Sequence, residues 1–187
     1  MKFAAFLRNV NLGRPGAPTK AQLEEAFTGA GGRHAQSFQT NGTLVFEAAS
    51  LVAAERVLRK ALKLLAASCD LAEPACVRSL DELVPLASAQ EFDDYDRDEV
   101  YEFVLSFACQ RNTALDGELP LDNAQGNVRI LALKDGNALA ISWKLGASPG
   151  SPNLFLEKTT GQPWTSRAIG TLQRLVAKHG PETYPSR

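Results

Sequence analysis

Apolar residues dominate Lys2 to Arg8, with Phe3 and Leu7 on one face of an extended chain and Phe6 on the other, so the run reads as a strand. A loop of Gly, Pro and Asn residues follows, from Asn9 to Pro18. Helical spacing then takes over. Leu23, Ala26, Phe27 and Ala30 recur at intervals of three and four, Thr19 and Gln22 have capping-box spacing, and Gly29, Gly31 and Gly32 end the segment. Arg33 to Thr40 and Thr43 to Ala48 are strand-like runs around Asn41-Gly42, which this pattern places at the centre of a two-residue hairpin, both residues at positive φ. Ser50 opens a long helix with a stripe at Leu51, Ala54, Leu58, Ala61 and Leu65, and another strand follows at Ala75 to Arg78.

That order is βαββαβ, the ferredoxin-like split arrangement. Right-handed crossovers put the first strand between the third and fourth, with the second outermost beside the third. The pattern beyond is less regular. Ser79 and Glu82 cap a short helix, Val100 to Ala108 is a strand, and Val128 to Leu133 pairs with Ala138 to Lys144 across Lys134-Asp135-Gly136-Asn137. Thr165 is expected to cap a last helix with Ile169, Leu172, Leu175 and Val176 inward and Gly180 closing it. The expected class is α+β, two ferredoxin-like halves packed together with the second degenerate. The division is 1–80, an acidic connector with a short helix at 81–98, and 99–187. Apolar residues on both faces of the first strand further predict that the second half or another subunit covers the open face.

Composition changes this picture little. The 187 residues are 44% hydrophobic and 22% charged, which suits a globular protein and rules out disorder. No apolar run approaches the ~20 residues needed to span a bilayer, and the apolar stretch after Lys2 is too short for a secretory leader. A cytoplasmic protein, monomeric or homodimeric and without membrane partners, is expected. Cys69, Cys76 and Cys109 form no C-x-x-C pair and suit a reducing compartment. Two histidines, His34 and His179, exclude a three-histidine metal site and read as surface or capping residues.

Charge is unevenly spread. Residues 1–80 carry 10 basic and 6 acidic side chains, 81–126 carry 2 and 12, and 127–187 carry 8 and 3. The acidic stretch from Glu91 to Glu99 reads as a solvated connector. Its Asp93, Asp94, Asp96 and Asp98 lack the 12-residue pattern of a calcium loop, and no metal or cofactor is expected.

Most motifs fail on chemistry. Gly146-Ala147-Ser148-Pro149-Gly150 satisfies G-x-S-x-G, but the oxyanion hole of such enzymes uses the N–H of the residue after the serine, and Pro149 has none. The stretch reads as a flexible loop. Thr19-Lys20 is the wrong order for a Walker loop, and no G-x-G-x-x-G occurs. RNA-recognition sheets stack bases on aromatics, whereas here the third strand offers Thr43, Leu44 and Val45. Arg56, Arg59, Lys60 and Lys63 line one helix face, and Arg167, Arg174 and Lys178 are read as another; both look like solvated faces, with nucleic-acid binding as the weaker alternative.

Three blocks nevertheless carry a resemblance: Leu7-Arg8-Asn9-Val10-Asn11-Leu12-Gly13, Gln39-Thr40-Asn41-Gly42 with Val45-Phe46, and Thr165-Ser166-Arg167 with Thr171. They are similar to the bacterial domain-of-unknown-function family 1697, whose members read L-R-G-I-N-V-G, Q-S-G-N-V-V-F and T-x-R-N-W-N-T. The resemblance implies two ferredoxin-like halves and supplies no activity. Asn9 stands where the family has Gly, Thr40-Asn41-Gly42 replaces Ser-Gly-Asn, and Ala168-Ile169-Gly170 replaces Asn-Trp-Asn.

Topology gives two of these blocks a geometric link. With the first and second strands parallel, the loop after one and the hairpin after the other share a sheet edge. Arg8, Asn9, Asn11, Gln39, Thr40 and Asn41 should gather there, joined by Thr19 and Lys20 at a helix N-terminus whose N–H groups and dipole favour anions. With Arg167 from the third block, these are the candidate ligand-binding residues. The guanidinium of Arg8 is expected among the amides of Gln39, Thr40 or Asn41; an ion pair with Glu47 or Glu157 is the structural alternative. The preferred function is binding of a small anionic or polar ligand. An enzyme of unknown reaction is the remaining alternative, disfavoured because no acid–base pair or nucleophile is evident.

Overall fold

The computed structural model describes residues 1–181 other than Asp116 and Gly146. The chain divides into two compact units, Met1–Val84 joined by the segment from Leu175 onward, and Pro85–Arg174. The last helix therefore contributes to both, where the sequence pattern assigns it wholly to the second half.

The first unit contains β1 (Lys2–Leu7), α1 (Lys20–Gly29), β2 (Arg33–Phe38), β3 (Thr43–Glu47), α2 (Leu51–Cys69) and β4 (Ala75–Ser79). Its sheet runs β2-β3-β1-β4 with every neighbouring pair antiparallel, the order expected from right-handed crossovers. Thr19 and Gln22 form the capping box of α1, and Ser50 caps α2 through a bond from the Ala53 amide. Period two in the strands and 3.6 in the helices converge on one core: Phe3, Leu7, Leu44 and Phe46 from the sheet meet Leu23, Phe27, Leu58 and Leu65 from the helices. The opposite face carries Ala4 and Phe6 with Thr43, Val45, Cys76 and Arg78, all buried. That face offers no exposed ring on which a base could stack.

The hairpin between β2 and β3 differs from expectation. Phe38 pairs with Thr43, so residues 39–42 form a four-residue loop, with positive φ at Gln39 (60°) and Gly42 (72°) rather than at Asn41-Gly42. The tight two-residue hairpin lies in the second unit instead. There Lys134 pairs with Asn137 across Asp135 (φ 51°) and Gly136 (φ 72°).

After β4, α3 (Leu80–Ala87) starts with the Ser79 hydroxyl accepting from the Glu82 amide. The second unit holds β5 (Glu102–Ala108), β6 (Leu121–Asp122), β7 (Val128–Lys134), β8 (Asn137–Ser142), β9 (Lys144–Leu145), β10 (Ser148–Pro149), α4 (Pro152–Thr160) and β11 (Trp164–Ala168), with α5 (Ile169–His179) following. Its main sheet runs β11-β5-β8-β7-β6 and is antiparallel throughout. Taken in chain order, its four long strands β5, β7, β8 and β11 stand as β1 to β4 do: second, third, first, fourth. A helix joins the third and fourth strands in both units, whereas in the second no helix stands between the first two among the described residues. Leu156 of α4 and Trp164 of β11 complete a core with Val104, Val128, Ile130 and Ala140.

Three sequence expectations are corrected here. Thr165 does not cap α5: it lies inside β11, paired with Phe107, and the helix begins only at Ile169. Arg167 is accordingly a strand residue, not part of a helical basic face. The G-x-S-x-G segment is not a flexible loop either. Gly146 lies outside the described residues, but Ser148 pairs with Leu145 and the Gly150 amide donates to the Trp143 carbonyl at 3.0 Å. A side chain at Gly150 would collide with the Asn127 carbonyl.

Candidate ligand cleft

Because β1 and β2 both pair antiparallel with β3, they run parallel, and the chain leaves both at one sheet edge. Backbone bonds fasten the two exits together. The Leu7 amide donates to Gly42 O at 2.9 Å, and the Leu12 amide donates to Thr40 O at 2.7 Å. Between them opens a cleft of about 400 Å³, lined by Leu12, Gly13, Thr19, Lys20, Ser37, Gln39 and Thr40.

Its chemistry is that of a helix N-terminus with a cation beside it. Thr19 Oγ1 accepts from the Gln22 amide, while the amides of Lys20 and Ala21 have no partner within the helix. Lys20 is largely exposed, its ammonium 3.8 Å from Glu24, whose other bond is accepted from the Ser37 amide at 2.8 Å. Ser37 Oγ is buried and has no hydrogen-bond partner among the described residues. Leu12 supplies an apolar wall.

Of the residues expected to gather at this edge, Thr19, Lys20, Gln39 and Thr40 line the cleft. Asn41 is turned back on its own loop, its amide donating to Gln39 Oε1 at 3.4 Å. Asn11 is exposed, with its carbonyl accepting from the Arg14 amide. Arg8 departs furthest from expectation. Its guanidinium donates to Glu73 Oε2 at 2.9 Å, and the Asn9 amide group lies 3.5 Å from both Glu73 oxygens. The cause is the β1–β4 pairing: Leu7 opposes Ala75 and the Arg8 amide donates to Pro74 O, so the residue just before Pro74 meets the residue just after β1. Glu47, one of the two partners expected for Arg8, is paired instead with Arg33 at 3.6 Å.

A family model described as a protein of unknown function, DUF1697, matches residues 1–131, the whole cleft included. The chain belongs to the DUF1697 family. Its fold is similar to that of a conserved bacterial protein from Streptococcus pneumoniae, with a TM-score of 0.55 at 12% identity, over 93% of this chain and 96% of that one. No curated protein matches the chain at significant similarity.

In this DUF1697 protein the departures from the family pattern are conformationally intelligible. Asn9, standing for Gly, has φ 53°, and asparagine is among the few residues that tolerate this region. Gly42, standing for Asn, also has positive φ. Arg167 lies in the second unit, buried on β11, donating to Thr165 Oγ1 at 2.9 Å and Ser166 O at 2.7 Å, and is not part of the cleft lining. Leu12, Gly13 and Ser37 are the lining residues that sequence reasoning missed. Their signal was positional: Leu12 and Gly13 close the first family-like block, and Ser37 precedes the hairpin on the strand leading into it.

His34 is exposed at φ 52° beside the irregularity in β2. His179 packs edge-on against Phe38 and its carbonyl accepts from Lys2; burial and the neighbouring Lys178 and Lys2 push its pKa down. The three cysteines are free thiols, and no cluster able to hold a metal occurs among the described residues. No helix among them is long and apolar enough to cross a membrane.

Proposed function

We propose that this DUF1697 protein binds a small polar ligand at the cleft between the β1 exit and the β2–β3 loop, holding an anionic group of that ligand at the N-terminus of α1. We also read its two units as ferredoxin-like halves, the second without its first helix, working in the reducing cytoplasm that three free thiols suit. One observation carries the ligand reading: a buried Ser37 hydroxyl without a partner among the described residues, inside a cleft that also holds a helix N-terminus and Lys20. Orphaned buried hydroxyls cost stability, and a ligand donor or acceptor would supply what the fold does not. An anion at the Lys20 and Ala21 amides gains from the helix dipole and from the lysine charge. Arg8, engaged by Glu73, is left to hold the loop in place.

Titration of the ¹⁵N-labelled protein with inorganic phosphate, and separately with acetate, tests this. Saturable shifts are expected at the amides of Lys20, Ala21 and Thr40. Lys20→Gln should weaken the binding by about tenfold, the loss of one charge-assisted contact. Uniform drift without saturation, or unchanged binding in Lys20→Gln, would defeat the proposal.

A further inference from the structure

The second unit repeats two of the backbone bonds that frame the first cleft. Leu7 ends β1 and its amide donates to Gly42 O at 2.9 Å; Ala108 ends β5 and its amide donates to Gly136 O at 2.8 Å. One residue on, the Arg8 amide donates to Pro74 O at 2.9 Å, just before β4, and the Cys109 amide donates to Pro163 O at 3.0 Å, just before β11. The hairpin glycines have the same φ, 72°. Each is pressed against the third residue after the first strand: a β-carbon at Gly42 would lie 2.8 Å from Val10 Cβ, and one at Gly136 would lie 2.7 Å from Arg111 O. Beside this second lock opens a second cleft of about 370 Å³, lined by Arg111, Asn112, Thr113, Asp135 and Gly136.

We infer that this second cleft is a separate ligand site, taking a small polar molecule through a carboxylate or phosphate group. The first cleft owes its positive end to α1, but between β5 and β7 there is no helix among the described residues. In the second the cation comes from the loop itself, as Arg111, whose planar guanidinium suits a carboxylate or phosphate in a way an ammonium does not. Asn112 adds a side-chain amide, and Thr113 a hydroxyl that donates to Gln110 O at 2.6 Å and so faces a ligand as an acceptor. Asp135, on the facing hairpin, presents an acceptor that favours a ligand with a hydroxyl or amino group next to its anionic one. Where the first cleft has an apolar wall in Leu12, the second is lined by polar residues and glycine, so the two should not take the same molecule equally well.

The same phosphate and acetate titrations, run on the full chain, separate this site from the first. Saturable shifts are expected at the amides of Asn112, Thr113 and Gly136, with an affinity of their own. Arg111→Gln leaves untouched the backbone that packs on Gly136; it should weaken the second set by about tenfold and leave the Lys20 set unmoved. Asn112→Ala, at a lining residue with no part in the two backbone bonds of the lock, should weaken it by a smaller factor. A larger response to acetate identifies a carboxylate site, a larger response to phosphate a phosphate site. If the second set never saturates, or if Arg111→Gln leaves it unchanged while the spectrum shows an intact fold, the site does not exist. Shifts confined to Lys20, Ala21 and Thr40 would overturn this inference and leave the first cleft standing.

Discussion

Gly42 and Val10 are in contact so close that a β-carbon on the glycine would lie 2.8 Å from Val10 Cβ and 3.2 Å from Leu7 Cβ. The glycine is thus required twice, for its φ of 72° and for the space it leaves. Gly42→Ala is expected to destabilise the protein by about 2 kcal/mol, the sum of a strained backbone and a steric conflict with a buried valine. Urea denaturation measures this. A variant within about 0.5 kcal/mol of the parent would mean that the loop after β1 yields freely, and that the cleft is not held by this contact.

The Arg8–Glu73 pair makes a different prediction. Both side chains are partly shielded, with 19% and 34% of their surfaces exposed, so solvent screens the pair only in part. Glu73→Gln should cost roughly 1 kcal/mol, near the upper range for exposed pairs. It should also leave phosphate binding at Lys20 unchanged, because Arg8 does not line the cleft. A gain in affinity there on removing the Glu73 charge would show instead that Arg8 is a ligand held in reserve.

These two contacts also show how far sequence reasoning reaches. The first unit was legible because its elements have strong local signatures: short, nearly continuous apolar runs in β1 and β3, a long stripe in α2, and the Thr19–Gln22 box. Strand order then followed from chirality, and strand order brought Thr19, Lys20, Gln39 and Thr40 together. Local signatures failed where tertiary contacts overrule them. Asn41-Gly42 has the composition of a tight hairpin, yet packing of Gly42 on Val10 and the bond from Leu12 to Thr40 draw the loop out to four residues. Asp135-Gly136 has the same kind of composition and does form the tight turn. Arg8 was misassigned because its partner lies 65 residues away, delivered by strand pairing rather than by any motif. In the second unit, α4 buries only Pro152 and Leu156, too sparse a stripe to announce a helix, and β11 is five residues long.

The last prediction concerns pH. Glu102 begins β5 opposite Ser142, and burial raises its pKa above the usual carboxylate value, with the nearby Arg174 offsetting part of that rise. A carboxyl whose folded pKa is raised favours the folded state while protonated. That contribution is complete below the ordinary glutamate pKa and is lost as pH climbs through the raised one. At neutral pH the folded protein therefore carries a charge it would rather not hold. Glu102→Gln, which keeps the shape and removes the ionisation, should be more stable than the parent at pH 7. The two should converge as pH falls below the ordinary carboxylate range. Paired urea titrations across that range isolate the effect, since every other titrating group is common to both proteins. A variant less stable than the parent at pH 7 would mean that the attraction between Glu102 and Arg174 outweighs desolvation, reversing the order of the two causes.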